Sequence, residues 1–377
     1  MTGLANPRGL RSRTLVALLL LPLAIGVQAL GAHSPERVEA LYSRGVFPIL
    51  VAVLAWLSSR VPFSVAEVGL ACACVVLALA LLSTGHALVR GRGHRWRILG
   101  RAAVSCLLVT GAGYALFLLA WGLNYQRLSF GRSAGLPVAP SDRLELLALS
   151  ASLIDAANTL RDGLPEDEHG VMRLADGSRR ALSRTTLGAA ALINRYPWLP
   201  KSLFHPKPAW TSPLLARLGI GGVYSPWTAE PHVNIEVPSS DIPFDAAHEV
   251  GHQLGFARED EANYLAYLMC RLHPDVDFRY SGVFLASRYA QAALASVDRP
   301  EALALESRRS AAVRRDLVAL IAWAKRFEGP AMKAAERVND GYLRTQGQDG
   351  TRSYGRMVDL LLAERRAERQ SAPPLRP

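Results

Sequence analysis

His248 and His252 stand four residues apart, with Glu249 directly after the first, in the stretch DAAHEVGHQLGFAREDEANYLAY (residues 245–267). Residues i and i+4 share one face of a helix, so both imidazoles can point at one ion. Imidazole nitrogens are good zinc ligands. Glu249 lies about 100° round the helix from His248. From there its carboxylate reaches a water on such an ion without binding the ion, the placement of a general base. The competing reading is a surface helix that merely carries two histidines. Four features weigh for the ion: a cap at Asp245, small residues Ala246 and Ala247, a stop at Gly255, and an acid-rich segment straight after. Zinc wants a third protein ligand. Arg258, Glu259, Asp260 and Glu261 follow in a row.

The run from His248 to Arg258 resembles the metzincin pattern HExxHxxGxxH. Gly255 matches, but the place of the third histidine holds Arg258. A guanidinium stays protonated and cannot be a ligand, so this resemblance fails at its deciding residue. The stretch also resembles the gluzincins, whose next helix carries E-x-x-x-D/N. That resemblance implies Glu259 as third ligand and Asn263, one turn on and on the same face, as the partner of a ligand histidine. Glu261 is the competing carboxylate. It sits about 200° round from Glu259 on a helix and faces elsewhere. Other aromatic and histidine candidates are Tyr224, His232, Tyr264 and Tyr267 for an oxyanion, and His273 for the metal. Each is more simply a packed, interfacial or surface residue.

These side chains need a scaffold, and the chain is long enough at 377 residues for more than one domain. Its apolar residues concentrate before residue 125, and most acids lie after residue 140. Three segments approach or exceed the length a hydrocarbon core demands, at 14–32, 68–85 and 102–123. A fourth run, 46–57, is shorter and flanked by Arg44 and Arg60, which predicts an interfacial helix. Arg8, Arg11 and Arg13 precede the first span. Arg90, Arg92, Arg95, Arg97 and Arg101 fill the loop between the second and third. The positive-inside rule puts both clusters in the cytoplasm and everything after residue 123 outside it. The first span also reads as a signal peptide, with Ala29 and Gly31 near its end; cleavage there leaves the remaining topology unchanged. None of the three carries a charge near its middle, which argues against a transporter. The net charge of +11 comes with no basic face of groove-reading chemistry, so no nucleic acid is expected as partner. Cys72, Cys74 and Cys106 lie in apolar segments and imply no disulfide framework.

Residues 124–370 then form one polar domain, with 371–377 a tail. Ser141-Asp142 opens a helix to about residue 160, and a second covers 184–195. Nine prolines between 196 and 243 predict loop and short strand. HVNIEV (232–237) alternates Val233, Ile235 and Val237 against His232, Asn234 and Glu236. It reads as an edge strand, either with a wet face or bordering a cleft. Helices are expected from Asp245 to His252, from about 258 to 272, and over 280–297, 300–327, 331–343 and 353–368.

WGLNYQR (121–127), GVYSPWTAEPHVN (222–234), 243–263 and VNDGYLRTQGQDGTRSYGRMVDLLL (338–362) resemble a family of bacterial membrane proteins grouped as a domain of unknown function. The family has amino-terminal spans followed by a zinc-protease-like domain. The resemblance implies an α-helical anchor of three transmembrane helices. It joins a mainly α, α+β, zincin-like domain of gluzincin type, with a small sheet. It favours Glu230 and Asn234, beside Tyr224 and His232, as cleft residues. The expectation is a multi-pass protein of the bacterial cytoplasmic membrane. Its zinc metallopeptidase domain lies on the extracytoplasmic side: Zn2+ on His248, His252 and Glu259, Glu249 as base, and a peptide or protein as substrate. Two rivals are a catalytically inactive metal-binding or sensing protein and a zinc hydrolase of non-peptide amides or esters. Intact Glu249 argues against the first, since a binding module needs no base.

Overall fold

The computed structural model describes residues 7–201 and 204–371; residues 372–377 of the expected tail lie outside them. Four helices among the described residues are long and apolar enough to cross a membrane. They are α1 (Pro7–Ala32), α2 (Pro35–Ser58), α3 (Val65–Arg90) and α4 (Arg95–Ala120). α1 and α4 pack together through small residues. Ala17 and Ala24 are buried, and a Cβ on Gly111 would lie 3.2 Å from Leu20 Cβ, so the backbones approach as membrane helices do. α3 has no buried residue at all. Among the described residues most of its apolar surface is left exposed, as lipid contact requires. The third expected span ends earlier than 123. Trp121 leaves helical geometry (φ −156°), and Gly122–Gln126 form a 3-10 turn.

The stretch 46–57 is not a separate helix. It is the second half of α2. The buried apolar side chains of α2 are Val38, Tyr42, Phe47, Val51 and Ala55. Their spacing has one five-residue step among steps of four. That step adjoins the π-helical turns Val38–Val46, which insert a residue and keep the stripe in register. The polar domain holds both ends of α2. Arg127 forks onto Glu39 near the start (2.8 and 2.9 Å), and Lys207 Nζ donates to Ser58 O at the end (2.8 Å). The helix therefore lies along the domain, with Ile49, Val53 and Trp56 exposed on its outer side.

The domain continues with α5 (Arg143–Arg161), α6 (Gly177–Arg195), β1 (Lys207–Pro208), α7 (Ser212–Leu218), β2 (Gly222–Ser225) and β3 (Glu230–Val233). Then come α8 (Ile242–Gln253), α9 (Glu259–Leu272), α10 (Val276–Val297), α11 (Arg299–Glu306), α12 (Ala311–Phe327), α13 (Pro330–Thr345) and α14 (Met357–Ser371). Asp142 starts α5 through a reciprocal capping box with Glu145. α8 begins three residues before the expected Asp245, with Pro243 in its first turn, where a missing N–H costs nothing. The single helix expected over 300–327 is two, because Ser310 caps a new start by accepting from Val313 N (3.3 Å). α8 and α9 run through the core, buried on nearly every side.

The strand expectation needs correction. The sheet has the order β1-β3-β2, so β3 is central and not an edge. It covers 230–233, and all four residues are buried. The chain leaves it at Asn234, whose amide turns back to accept from Glu236 N (3.0 Å) and donate to Ile220 O (2.9 Å). The turn between α2 and α3 covers the face expected to be wet: Ser64 Oγ lies 2.7 Å from His232 Nε2. A period of two marks which side chains share a face, not whether water or a membrane helix lies on it.

Candidate metal centre

α8 and α9 are joined by a tight turn at Gly255, whose φ is +88°. A Cβ there would stand 2.8 Å from the Phe47 ring and 3.1 Å from Arg127 Nη1. Only glycine meets both the backbone and the space requirement. Arg127 Nη1 donates to Gly255 O (2.9 Å) and its guanidinium lies 4.0 Å over the Phe256 ring. The fork from Glu39 of α2 thus ends on the turn that positions the ligands. Gly255→Ala is expected to destabilise the fold by about 1–3 kcal/mol and to loosen metal binding. Thermal unfolding and metal titration read both; parental values in each would rule the role out.

The turn folds Glu259, the first residue of α9, back onto the two histidines. Its Oε2 lies 3.2 Å from His248 Nε2 and 3.6 Å from His252 Nε2. Ligand atoms of the three residues all fall within 4.8 Å of one another. The far nitrogens are tied down. His248 Nδ1 meets Asn263 Oδ1 at 2.7 Å, and His252 Nδ1 meets Phe256 O at 2.7 Å. Asn263 Nδ2 is already committed to Tyr354 O (3.0 Å), so its oxygen must face the imidazole. Both partners are acceptors, so each Nδ1 carries a proton, and in the neutral imidazole each Nε2 presents a lone pair. With both imidazoles neutral, two lone pairs and a carboxylate oxygen converge, and Glu259 Oε2 is buried. Such a set can hold a cation. The nitrogen and oxygen donors fit zinc.

Glu249 stands beside this cluster. Its Oε2 is buried without a partner, and its carboxylate packs against β2, where a Cβ on Gly222 would come within 2.5 Å of Oε1. Burial pushes its pKa up to about 7, against the pull of His248 and His252 and with a push from Glu259. Burial also acts to lower His252, but the Glu259 carboxylate overcomes it and raises that imidazole to about 9. Burial acts to raise Glu259, and the imidazoles, His252 foremost, hold it down at about 2.

The sign of the resulting pH dependence follows. In metal-free protein the raised His252 contributes stability fully below 6.5 and loses it as pH rises through about 9. The depressed Glu259 contributes above 4.5 and loses it only as pH falls towards about 2. Chelated protein is therefore expected to lose melting temperature between pH 6.5 and 9. The stabilisation added by zinc should grow over the same range, because the ligand imidazoles must be neutral. Melting curves with chelator and with zinc check this; a chelated protein that gains stability up to pH 9 contradicts it.

The other expected residues divide. Tyr224 reaches the site, its ring centroid 6.4 Å from His252. Glu230 does not: its carboxylate accepts from Val65 N (3.1 Å), Ala66 N (2.8 Å) and Lys207 Nζ (2.7 Å), holding the start of α3. His232 bonds Ser64 there, and Asn234 shapes the turn after β3. Glu230 and His232 are junction residues, because the α2–α3 turn occupies the space beside them, and the Asn234 amide is committed to Ile220 and Glu236. Glu261 accepts from Phe130 N (2.6 Å) and Arg258 Nη1 (3.4 Å), away from the histidines. Tyr264 and Tyr267 lie in the core, and His273 stacks on Phe278 at 3.8 Å.

Three site residues lay outside the motif reading. Trp121 sets its ring edge-on to His252, with centroids 5.8 Å apart, and Tyr354 stacks near His248 at 6.3 Å. Gln348 accepts from Glu259 N (3.1 Å). All three sit in stretches that carry the family resemblance, which was the available signal. No curated protein and no solved structure is similar to the chain. A family described as "Protein of unknown function (DUF3810)" matches residues 42–362. That span takes in α8, α9 and the segment with Gln348 and Tyr354, and the chain belongs to this family.

Proposed function

We propose that the protein is a membrane-anchored, zinc-dependent metallopeptidase of gluzincin type. The observation that carries this reading is the convergence of two Nε2 lone pairs and the Glu259 carboxylate, with the unpartnered Glu249 carboxylate alongside. His248, His252 and Glu259 would hold the zinc, which would supply an acidified water and a positive charge for a developing oxyanion. Glu249 would take the proton from the attacking water and return it to the amine that leaves. Asn263 and the Phe256 carbonyl keep the imidazoles turned inward. Trp121 and Tyr354 pack against the rings and limit water around them.

β2, and not the HVNIEV segment, supplies the strand edge. Asn234 N donates to Gly221 O (2.8 Å), so the 223/232 and 225/230 pairs are bonded in turn. The backbone groups of Gly222 and Tyr224 then point off the free edge, beside Glu249. An extended peptide can pair there. The membrane reading places the domain outside the cytoplasm of a bacterial cell. The end of α1, the start of α3 and the end of α4 all meet the domain, and the five-arginine loop lies at the far ends of α3 and α4, about 39 Å away along 26 residues.

The test is metal analysis of the purified full-length protein together with cleavage of a mixed peptide library. Stoichiometric zinc with chelator-sensitive cleavage supports the reading. Zinc without cleavage favours the sensing alternative, and cleavage only of simple esters or amides favours the non-peptide hydrolase.

A further inference from the structure

The site touches the ends of the membrane-directed helices on two sides. Trp121, the first residue after α4, contacts His252 and also packs on Tyr224 of β2, with centroids 4.8 Å apart. One turn back in α4, Phe117 lies 6.5 Å from Trp227 at the tip of the β2–β3 turn. On the other side, Gln28 of α1 donates to Gln346 (3.2 Å), two residues from the Gln348 that holds Glu259. The first turn of α3 is also anchored here: Glu67 accepts from Trp210 N (3.1 Å) and Thr211 N (2.8 Å). Around these ends the domain exposes Trp210 (58%), Trp227 (51%) and Val223 (43%). Tryptophan at the ends of spanning helices is the composition of the headgroup level of a bilayer.

We propose that the site opens at the bilayer surface and that its substrate is a polypeptide itself anchored in the membrane. The cut falls within roughly six residues of the hydrocarbon boundary, about 20 Å of extended chain. This rests on the metallopeptidase reading and adds the substrate class. The geometry of β2 points the same way. A four-residue edge with two outward-facing residues offers little grip on a free peptide. A tether makes the encounter nearly intramolecular and raises the effective concentration of the substrate without any further contact. The step is hydrolysis: the amide C–N bond breaks, the oxygen of water joins the carbonyl carbon, and the nitrogen leaves as an amine with a proton from water.

The experiment uses full-length protein in phosphatidylcholine–phosphatidylglycerol liposomes, with zinc content measured. The probes are a mixed-sequence peptide library bearing a stearoyl anchor and the same library without it, at equal bulk concentration. The anchored library is expected to be cut at least tenfold faster, with cuts within the first six residues from the anchor. Equal rates, or cuts spread along the peptide, overturn the proposal and leave the metallopeptidase standing. Cleavage of neither library by zinc-loaded protein overturns both. A second arm needs no activity. Brominated lipids are expected to quench part of the tryptophan fluorescence, and Trp210→Phe with Trp227→Phe should reduce the quenched fraction. An unchanged fraction overturns the placement of this face at the bilayer.

Discussion

Glu249→Gln is expected to keep zinc and to lose peptide hydrolysis by about 10³-fold, the scale of a positioned general base. The substitution is isosteric, so the close packing against Gly222 survives. Glu249 is not among the three converging residues, so the proposed metal set survives too. Only the ability to take a proton is removed. Stability gives an independent reading. A carboxyl whose folded pKa is raised to about 7 costs stability as pH climbs above 4.5, where the unfolded chain ionises first. The metal-free variant should therefore match the parent at pH 4 and gain on it towards pH 8. Zinc stoichiometry, cleavage rate and melting temperature on one preparation decide the matter. Cleavage within tenfold of the parent would remove Glu249 from the mechanism.

Glu259→Gln and Glu261→Ala should separate two carboxylates that lie two positions apart. Glu259→Gln loses the anionic ligand between the two Nε2 atoms. Zinc affinity should fall by more than the roughly 10–100-fold that losing an outer hydrogen-bond partner costs. The fold should hold, since the bond to Gln348 comes from the backbone N–H. Glu261→Ala should do the reverse. It leaves the buried Phe130 N–H without its acceptor, at a cost of about 1–3 kcal/mol, and leaves zinc affinity near the parental value. Metal titration and chemical denaturation of both variants test the pair. Zinc binding lost in Glu261→Ala and kept in Glu259→Gln would reassign the third ligand.

That Glu259 and Asn263 share a face was legible because it rests on local periodicity. Four residues make a helical turn, so Glu259 and Asn263 had to share a face, and Glu261 had to leave it. The order of apolar segments was legible for the same kind of reason, since span length follows from the thickness of the hydrocarbon core. α5 showed its start through the Asp142–Glu145 box. The break within 300–327 did not show, because Ser310 caps only once Val313 turns back to it. Glu230 and Asn234 were placed in a cleft by resemblance, and His232 by the alternation of its strand. The turn between α2 and α3 fills that space, a contact across more than 160 positions that no local pattern records.

By itself, then, the sequence determined the chemistry on offer: two imidazoles on one helical face, a carboxylate beside them, no histidine at 258, and arginine clusters next to long apolar segments. Covalent spacing and helix geometry are enough for those statements. The tertiary structure decided what surrounds that chemistry. It folded Glu259 between the histidines through a glycine at positive φ, and locked that turn to α2 through Arg127. It brought Trp121 and Tyr354 against the imidazoles from opposite parts of the chain. It also made β2 the edge and β3 the centre of the sheet. Packing between distant segments fixes these features, and it depends on shapes and partners that a one-dimensional pattern does not carry.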